Sequence, residues 1–286
     1  MPSQPERGVA VTASLQPTDA LGLLADIDAL ARRAGALILD VYRQDFAVWN
    51  KADASQLTLA DERAEACIVP ALRALTPGVP VVAEEACAAG ELPLVGSKFW
   101  LVDPLDGTRE FVQRNDEFTV NIALVEHGVP VLGVVHAPAL DLLYAGWAPA
   151  AGLRQAWLVH AGQRRQITGR VMPAVGCTVA ASRAHGDGPV LQAWLAAQCV
   201  AGLRAVGSAL KFGLLAAGEA DVYPRFGRTM EWDTAAGHAL LRAAGGEVLD
   251  LQGRPLRYGK PGFDNPHFVA WSRVPAVPVD ASPAAG

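Results

Sequence analysis

The sequence predicts an α/β (α+β) protein of two lobes, and three observations predict it. The chain has 286 residues, enough for one large domain or two modest ones. From about residue 79 to residue 159 strands follow one another, which implies a largely antiparallel sheet covered by the helices before it. From about residue 175 strands and helices alternate, which implies a layered αβ arrangement. The expected boundaries are a tail over 1–18, an N-terminal α+β lobe over 19–160, a C-terminal α/β lobe over 161–273 and a second tail over 274–286. A cleft between the lobes is the default site.

The elements follow in order. After Thr18, a plausible N-cap, apolar residues recur at Leu23, Ile27, Leu30, Ala34, Leu37 and Val41, the spacing of one buried helical stripe. A strand-like piece, Phe46 to Trp49, precedes a polar loop over Lys51-Ala52-Asp53-Ala54-Ser55. A second helix runs from about Leu59 to Leu75, with a kink or early end predicted at Pro70. Strands are predicted at Val79–Ala83, Phe99–Val102, Phe118–Val125, Val129–Val135, Leu142–Trp147 and Gln155–Val159, with a hairpin at Gly128. Then come strand Thr178–Ala181, helix Val190–Gln198, strand Leu203–Val206 and helix Ala209–Ala217. Strand Asp221–Tyr223, helix Thr234–Ala244 and strand Glu247–Leu249 complete the pattern.

Composition narrows the class. Lys and Arg total 24 against 29 Asp and Glu, a net charge of -5. Coating nucleic acid or anionic lipid needs a basic excess, so neither is the expected job; a small anionic substrate is compatible. Cys67, Cys87, Cys177 and Cys199 form no C-x-x-C pair and no zinc spacing, which implies free thiols in a reducing cytosol. Residues 1–18 lack the apolar run of a signal peptide, and no uncharged apolar run reaches the ~18 residues of a membrane span. The expectation is a soluble, cytoplasmic protein, at most peripheral on the inner membrane.

The sharpest signal is Trp100-Leu101-Val102-Asp103-Pro104-Leu105-Asp106-Gly107-Thr108. An apolar strand ends in two carboxylates three apart. Pro104 fixes one backbone angle and Gly107 permits a turn that a β-carbon would forbid. Such a loop can aim both carboxylates and the Leu105 carbonyl at one point, the all-oxygen set a hard cation such as magnesium wants. The N–H groups of Gly107 and Thr108 are then free for an anion. Phosphatases with an aspartyl nucleophile carry their two acids two apart, so a covalent aspartyl mechanism is disfavoured and metal-activated water favoured. Three further places add acids: Glu84-Glu85 at a strand end, Asp61 at the start of the second helix, and Asp233 at the start of a later one. Each has a structural explanation alone, a loop pair or a helix cap; one multi-metal site explains them together.

A basic set lies in the C-terminal half. Ser208, after Gly207, reads as the N-cap of the following helix, which puts Lys211 in its first turn, where the macrodipole disfavours a cation. A bound phosphate would reverse that. Arg225 sits at a strand end and suits bidentate phosphate binding. His136 and His238, in apolar surroundings, read as structural.

These pieces, in this order, resemble the lithium-sensitive, magnesium-dependent phosphatases of the inositol monophosphatase superfamily. The matches are Lys51-Ala52-Asp53 with Thr58 and Asp61, Glu84-Glu85, Asp103 to Thr108, Gly207-Ser208, and Trp232-Asp233 before Gly237. The stretches Trp100 to His136 and Tyr223 to Gly246 resemble the bacterial 3'(2'),5'-bisphosphate nucleotidases, and the resemblance covers roughly residues 20–272. It implies a layered αβαβα sandwich of the inositol monophosphatase and sugar phosphatase type. It implies two or three magnesium ions on Glu84, Asp103, the Leu105 carbonyl, Asp106 and Asp233, and inhibition by lithium. Asp61, Glu84 and Thr108 would be catalytic. Substrate would meet Glu84, Leu105, Asp106, Gly107, Thr108, Gly207, Ser208, Lys211, Arg225 and Asp233. Relatives acting on inositol monophosphate typically carry a glutamate where Arg225 stands. An arginine cannot accept hydrogen bonds from hydroxyls but can pair with a second phosphate.

The resulting expectation is magnesium-dependent removal of the 3'-phosphate of adenosine 3',5'-bisphosphate, with 3'-phosphoadenylyl sulfate as a further substrate. The alternatives are an inositol phosphate or sugar bisphosphate as substrate, or a non-catalytic phosphate- or metal-binding regulator. The five assigned carboxylates, Asp61, Glu84, Asp103, Asp106 and Asp233, equal the net charge of -5.

Overall fold

A computed structural model describes residues 17–44, 51–150, 152–182 and 188–274. Helix α1 (Pro17–Tyr42) buries Leu23, Ile27, Leu30, Ala34 and Val41 as the periodicity predicts. Leu37 is only half-buried and Ile38 fills that place. Helix α2 (Lys51–Leu75) starts where the sequence reading put a polar loop. Lysine and alanine there are good helix formers, and alanine the best, so the helix extends over residues that polarity alone assigned to a loop. Pro70 neither ends nor splits α2; it lies on an exposed turn, and the helix continues past it. The strand-like piece Phe46–Trp49 lies outside the described residues.

The first sheet contains β1 (Val81–Ala83), then, after the short helix α3 (Glu84–Ala88), β2 (Lys98–Asp106). After α4 (Thr108–Val112) come β3 (Thr119–Glu126), β4 (Val129–Ala137), β5 (Leu142–Trp147), β6 (Gln155–His160) and β7 (Gln163–Gln166). The spatial order is β1 to β7 in sequence, and only β1 and β2 run parallel. The predicted hairpin turns at Gly128, whose φ of +73° suits a residue without a β-carbon. Strand β7 was invisible in the sequence because its Gln-Arg-Arg-Gln is wholly exposed and carries no apolar alternation.

The second sheet contains β8 (Cys177–Ala181), then, after α5 (Gly188–Ala196), β9 (Val200–Ala205). Helix α6 (Leu210–Ala216) precedes β10 (Val222–Arg225), and α7 (Glu231–Ala243) precedes β11 (Glu247–Asp250) and β12 (Phe268–Trp271). The order is β11-β12-β10-β8-β9, so β12, which the sequence reading missed, joins β11 to the rest of the sheet. Its four buried residues are too few to show a period.

Side-chain alternation sets the layers. Trp100, Val102, Val120, Ile122 and Leu124 pack with α1 and α2. Their neighbours Phe99, Leu101, Ala123 and Val125 share a core with α6, α7 and the near face of the second sheet, including Phe268 and Ala270. Val179, Val222, Val269 and Trp271 on the far face pack with Leu191 and Trp194 of α5. The result is an αβαβα sandwich.

One contact places the site. Gly133 of β4 and Gly146 of β5 stand opposite each other in register, under α7. A β-carbon on Gly146 would lie 2.7 Å from the Leu240 Cα, and one on Gly133 would fall on the Ala236 carbonyl. The bare backbone seats α7 against the first sheet, with Asp233 in its first turn.

Candidate active site

The two acids at the end of β2 are aimed by a bulge. Asp103 pairs with Asn121 and Asp106 with Thr119, so three steps on β2 match two on β3. The Leu105 N–H donates to Asp103 Oδ1 at 3.1 Å. Asp106 Oδ2 accepts from the Ala209 N–H at 2.6 Å, Asn121 Nδ2 at 3.3 Å and Thr119 Oγ1 at 3.4 Å, tying the first sheet to the start of α6. Gly107 then turns the chain with a φ of +95°, and α4 begins at Thr108.

Glu84 opens α3 at the end of β1, beside Asp103 on the parallel strand. Glu65 of α2 holds that turn, accepting the N–H groups of Glu85 at 2.9 Å and Ala86 at 3.0 Å. These are helix-terminal N–H groups without an intrahelical partner. Sequence reasoning passed over Glu65. It lies four residues after Asp61 on the same helix, and only the packing of α2 on α3 reveals what it grips. Asp233 is not the N-cap that its position suggested: α7 begins at Glu231, and Asp233 Oδ2 accepts the Met230 N–H at 2.9 Å from inside the first turn. Ser208 is not the N-cap of α6 either; Ala209 is, and Ser208 stands one residue earlier at a φ of +46°.

Glu84, Asp103 and Asp233 each present a carboxylate oxygen, and the three lie within 4.8 Å of one another. Burial and mutual repulsion push Asp233 up to about 8, Glu84 up to about 7 and Asp103 well above the usual carboxylate range. Buried oxygens of one sign at this spacing are destabilised without a counter-charge, and a hard divalent cation fits them. Asp61, 8% exposed on α2, is pushed up to about 8 by burial and by Glu85 and Glu84. Burial also raises Asp106, against which the Lys211 charge works.

A cleft of about 640 Å³ opens here. On one side Glu84, Asp103, Leu105, Asp106, Gly107 and Thr108 line it; on the other, Ser208, Lys211, Arg225 and Asp233. Gly207 and Asp61 stand outside the lining. The Gly207 N–H donates to Glu117 Oε2 at 2.7 Å. Lys211 is 4% exposed, and its ammonium donates to the carbonyls of Ser208 at 2.6 Å and Val206 at 3.3 Å, with the Tyr223 ring 5.2 Å away. Burial pushes it down to about 8, opposed by Asp106. Arg225 donates from Nη2 to the Arg228 carbonyl at 3.2 Å, while its buried Nε has no partner among the described residues. Arg109, Glu110, Gln113, Ser182, Arg228 and Thr229 also line the cleft and escaped sequence reasoning. Arg109 and Glu110 directly follow the acidic motif and could have been found; Ser182, Arg228 and Thr229 gave no sequence signal. His136 and His238 are buried, and burial holds both below the usual imidazole value, as structural residues.

Residues 23–274 match the inositol monophosphatase family. The 3'(2'),5'-bisphosphate nucleotidase CysQ of Escherichia coli K12 is 46% identical over 249 residues, 86% of this chain and 98% of that protein. Its namesake from Buchnera aphidicola is 40% identical over 253 residues, 87% of this chain and 93% of the other. Among solved structures, CysQ from Bacteroides thetaiotaomicron superposes with a TM-score of 0.75 at 36% identity, covering 88% of this chain and 98% of that one. An inositol monophosphatase from Zymomonas mobilis gives 0.72 at 26% identity, covering 89% and 94%.

Proposed function

The chain belongs to the inositol monophosphatase family, and on that premise we propose that it is a 3'(2'),5'-bisphosphate nucleotidase. It removes the 3'-phosphate of adenosine 3',5'-bisphosphate, leaving adenosine 5'-monophosphate and inorganic phosphate. The observation that carries this reading is the 46% identity to a nucleotidase of that name over nearly its whole length. Arg225 supports it: a cation on the cleft wall, beside Asp233, suits a second phosphate better than a sugar hydroxyl. 3'-Phosphoadenylyl sulfate differs only beyond the 5'-phosphate and belongs to the same reading. So do a cytoplasmic setting and inhibition by lithium.

In this reading Glu84, Asp103, Asp233, Asp106 and the Leu105 carbonyl hold two or three magnesium ions. Bound magnesium supplies Lewis-acid stabilisation of the phosphoryl oxygens and lowers the pKa of the attacking water. Glu84 orients that water and takes its proton. Asp61, near enough to Glu84 for the two charges to repel, would help hold a further metal or its water, and with Thr108 is the other pair that could orient and deprotonate the attacking water. The Gly107 and Thr108 N–H groups and the Thr108 hydroxyl hold the scissile phosphate. Asp106 is a poor nucleophile, because one oxygen already accepts three donors; water therefore attacks phosphorus directly, with inversion.

The test is phosphate release from adenosine 3',5'-bisphosphate, inositol 1-phosphate and fructose 1,6-bisphosphate, with magnesium and with or without lithium. The nucleotide is expected to be the best substrate by kcat/KM. Asp106→Asn is expected to fold and to lose activity by about two or more orders of magnitude. Preference for inositol 1-phosphate, or near-normal turnover by the variant, would count against the assignment.

A further inference from the structure

Glu110 has no part in the reaction described above. It lies in α4, three residues after Gly107, is 4% exposed and lines the cleft. A β-carbon on Gly207 would stand 2.8 Å from its Oε1, and one on Gly107 3.3 Å from its Oε2. The carboxylate thus fills the gap between Gly107 on the cleft wall and Gly207 behind it, flush against both stretches of backbone. Among the described residues no hydrogen bond reaches its oxygens. An ionised carboxylate accepts and cannot donate, and these oxygens are not sealed in the core but open to the cleft, where a donor can reach them. Lys211 balances its charge, since Glu110 and Asp106 both favour the ammonium. The N–H groups of Lys211 go instead to the carbonyls of Ser208 and Val206. The charge is offset, and an acceptor facing the cleft is left without a protein donor among the described residues.

A donor carried by a substrate in the cleft would meet this acceptor. A phosphate oxygen is repelled by a carboxylate, so the phosphate held at Gly107 and Thr108 cannot itself fill this place. A neutral hydroxyl can. On a ribose monoester the group next to the phosphorylated carbon is such a hydroxyl. We infer that Glu110 accepts a hydrogen bond from the hydroxyl vicinal to the scissile phosphate, so that the site selects a monoester of a ribose cis-diol over its deoxy counterpart. The arrangement serves a 3'-phosphate beside a 2'-hydroxyl and a 2'-phosphate beside a 3'-hydroxyl alike. The inference rests on the nucleotidase reading and names a specificity residue for it.

The experiment compares kcat/KM for adenosine 3',5'-bisphosphate and its 2'-deoxy analogue in the wild type, Glu110→Gln and Glu110→Met, at saturating magnesium. The wild type is expected to prefer the ribonucleotide by about 10- to 100-fold, the range of a hydrogen bond to a charged group. In Glu110→Met the preference should fall to about threefold or less, with Glu110→Gln between, since its amide oxygen accepts more weakly. Melting curves establish which variants fold; if Met does not, the loss of preference in Gln carries the test. A preference that persists undiminished in the folded variants overturns the inference. Equal use of both nucleotides by the wild type overturns it too, and leaves the nucleotidase reading intact. Hydrolysis of inositol 1-phosphate but of neither nucleotide removes both.

Discussion

At the scale of single residues, the clustered carboxylates of the cleft depend on neighbours outside its lining. Glu65 is the clearest case. Its two oxygens take the N–H groups of Glu85 and Ala86, and that grip fixes the backbone carrying Glu84. Glu65→Ala is expected to weaken magnesium binding about tenfold, the scale of lost outer-shell support for a metal ligand. Calorimetric titration of magnesium into the substrate-free protein reads this directly, and kcat at saturating magnesium should fall less. Glu65→Gln keeps one acceptor and should recover part of the affinity. Unchanged affinity in both variants would show that the turn holds itself.

Among the elements, α7 does most to assemble the site, because it carries Asp233 from the second half of the chain to the end of β2. Its seat is the glycine pair Gly133 and Gly146, matched across β4 and β5. Gly133→Ala forces a β-carbon onto the Ala236 carbonyl, so the helix or the strand must move. The expected loss is about 1–3 kcal/mol in unfolding free energy, the usual cost of overpacking. Urea denaturation measures it; a loss of under about 0.5 kcal/mol, the level of an ordinary surface change, would mean that the contact is slack. The sequence made the helix legible through its periodicity. It did not reveal that two glycines in separate strands face that helix, since their meeting depends on strand register.

For the whole molecule, the gathered carboxylates tie stability to pH and to metal. Without metal, burial and repulsion raise Asp61 and Asp233 to about 8 and Glu84 to about 7. Unfolded, each titrates at about 4. The folded chain therefore binds more protons between those values, and this contribution to stability, full at low pH, is lost as pH rises toward about 8. A bound cation removes the repulsion. Chelation is expected to lower the melting temperature little at about pH 5.5 and by several degrees at about pH 8. Thermal melts with and without a chelator measure the gap, and a gap that does not widen with pH would contradict the clustering. Much of the chemistry was legible in the sequence, because Asp103 to Thr108 aim their groups over a few bonds, and local geometry follows from local residue types. The helix stripe of α1 and the apolar runs of β3 to β6 were legible for the same reason. The tertiary structure alone decided that Lys211 spends its N–H groups on carbonyls, that Glu65 grips α3, that Glu110 lies bare between two glycines, and that β12 links its sheet together. Each of these depends on contacts between residues far apart in the chain, and such contacts are set by packing and register, which no local pattern encodes.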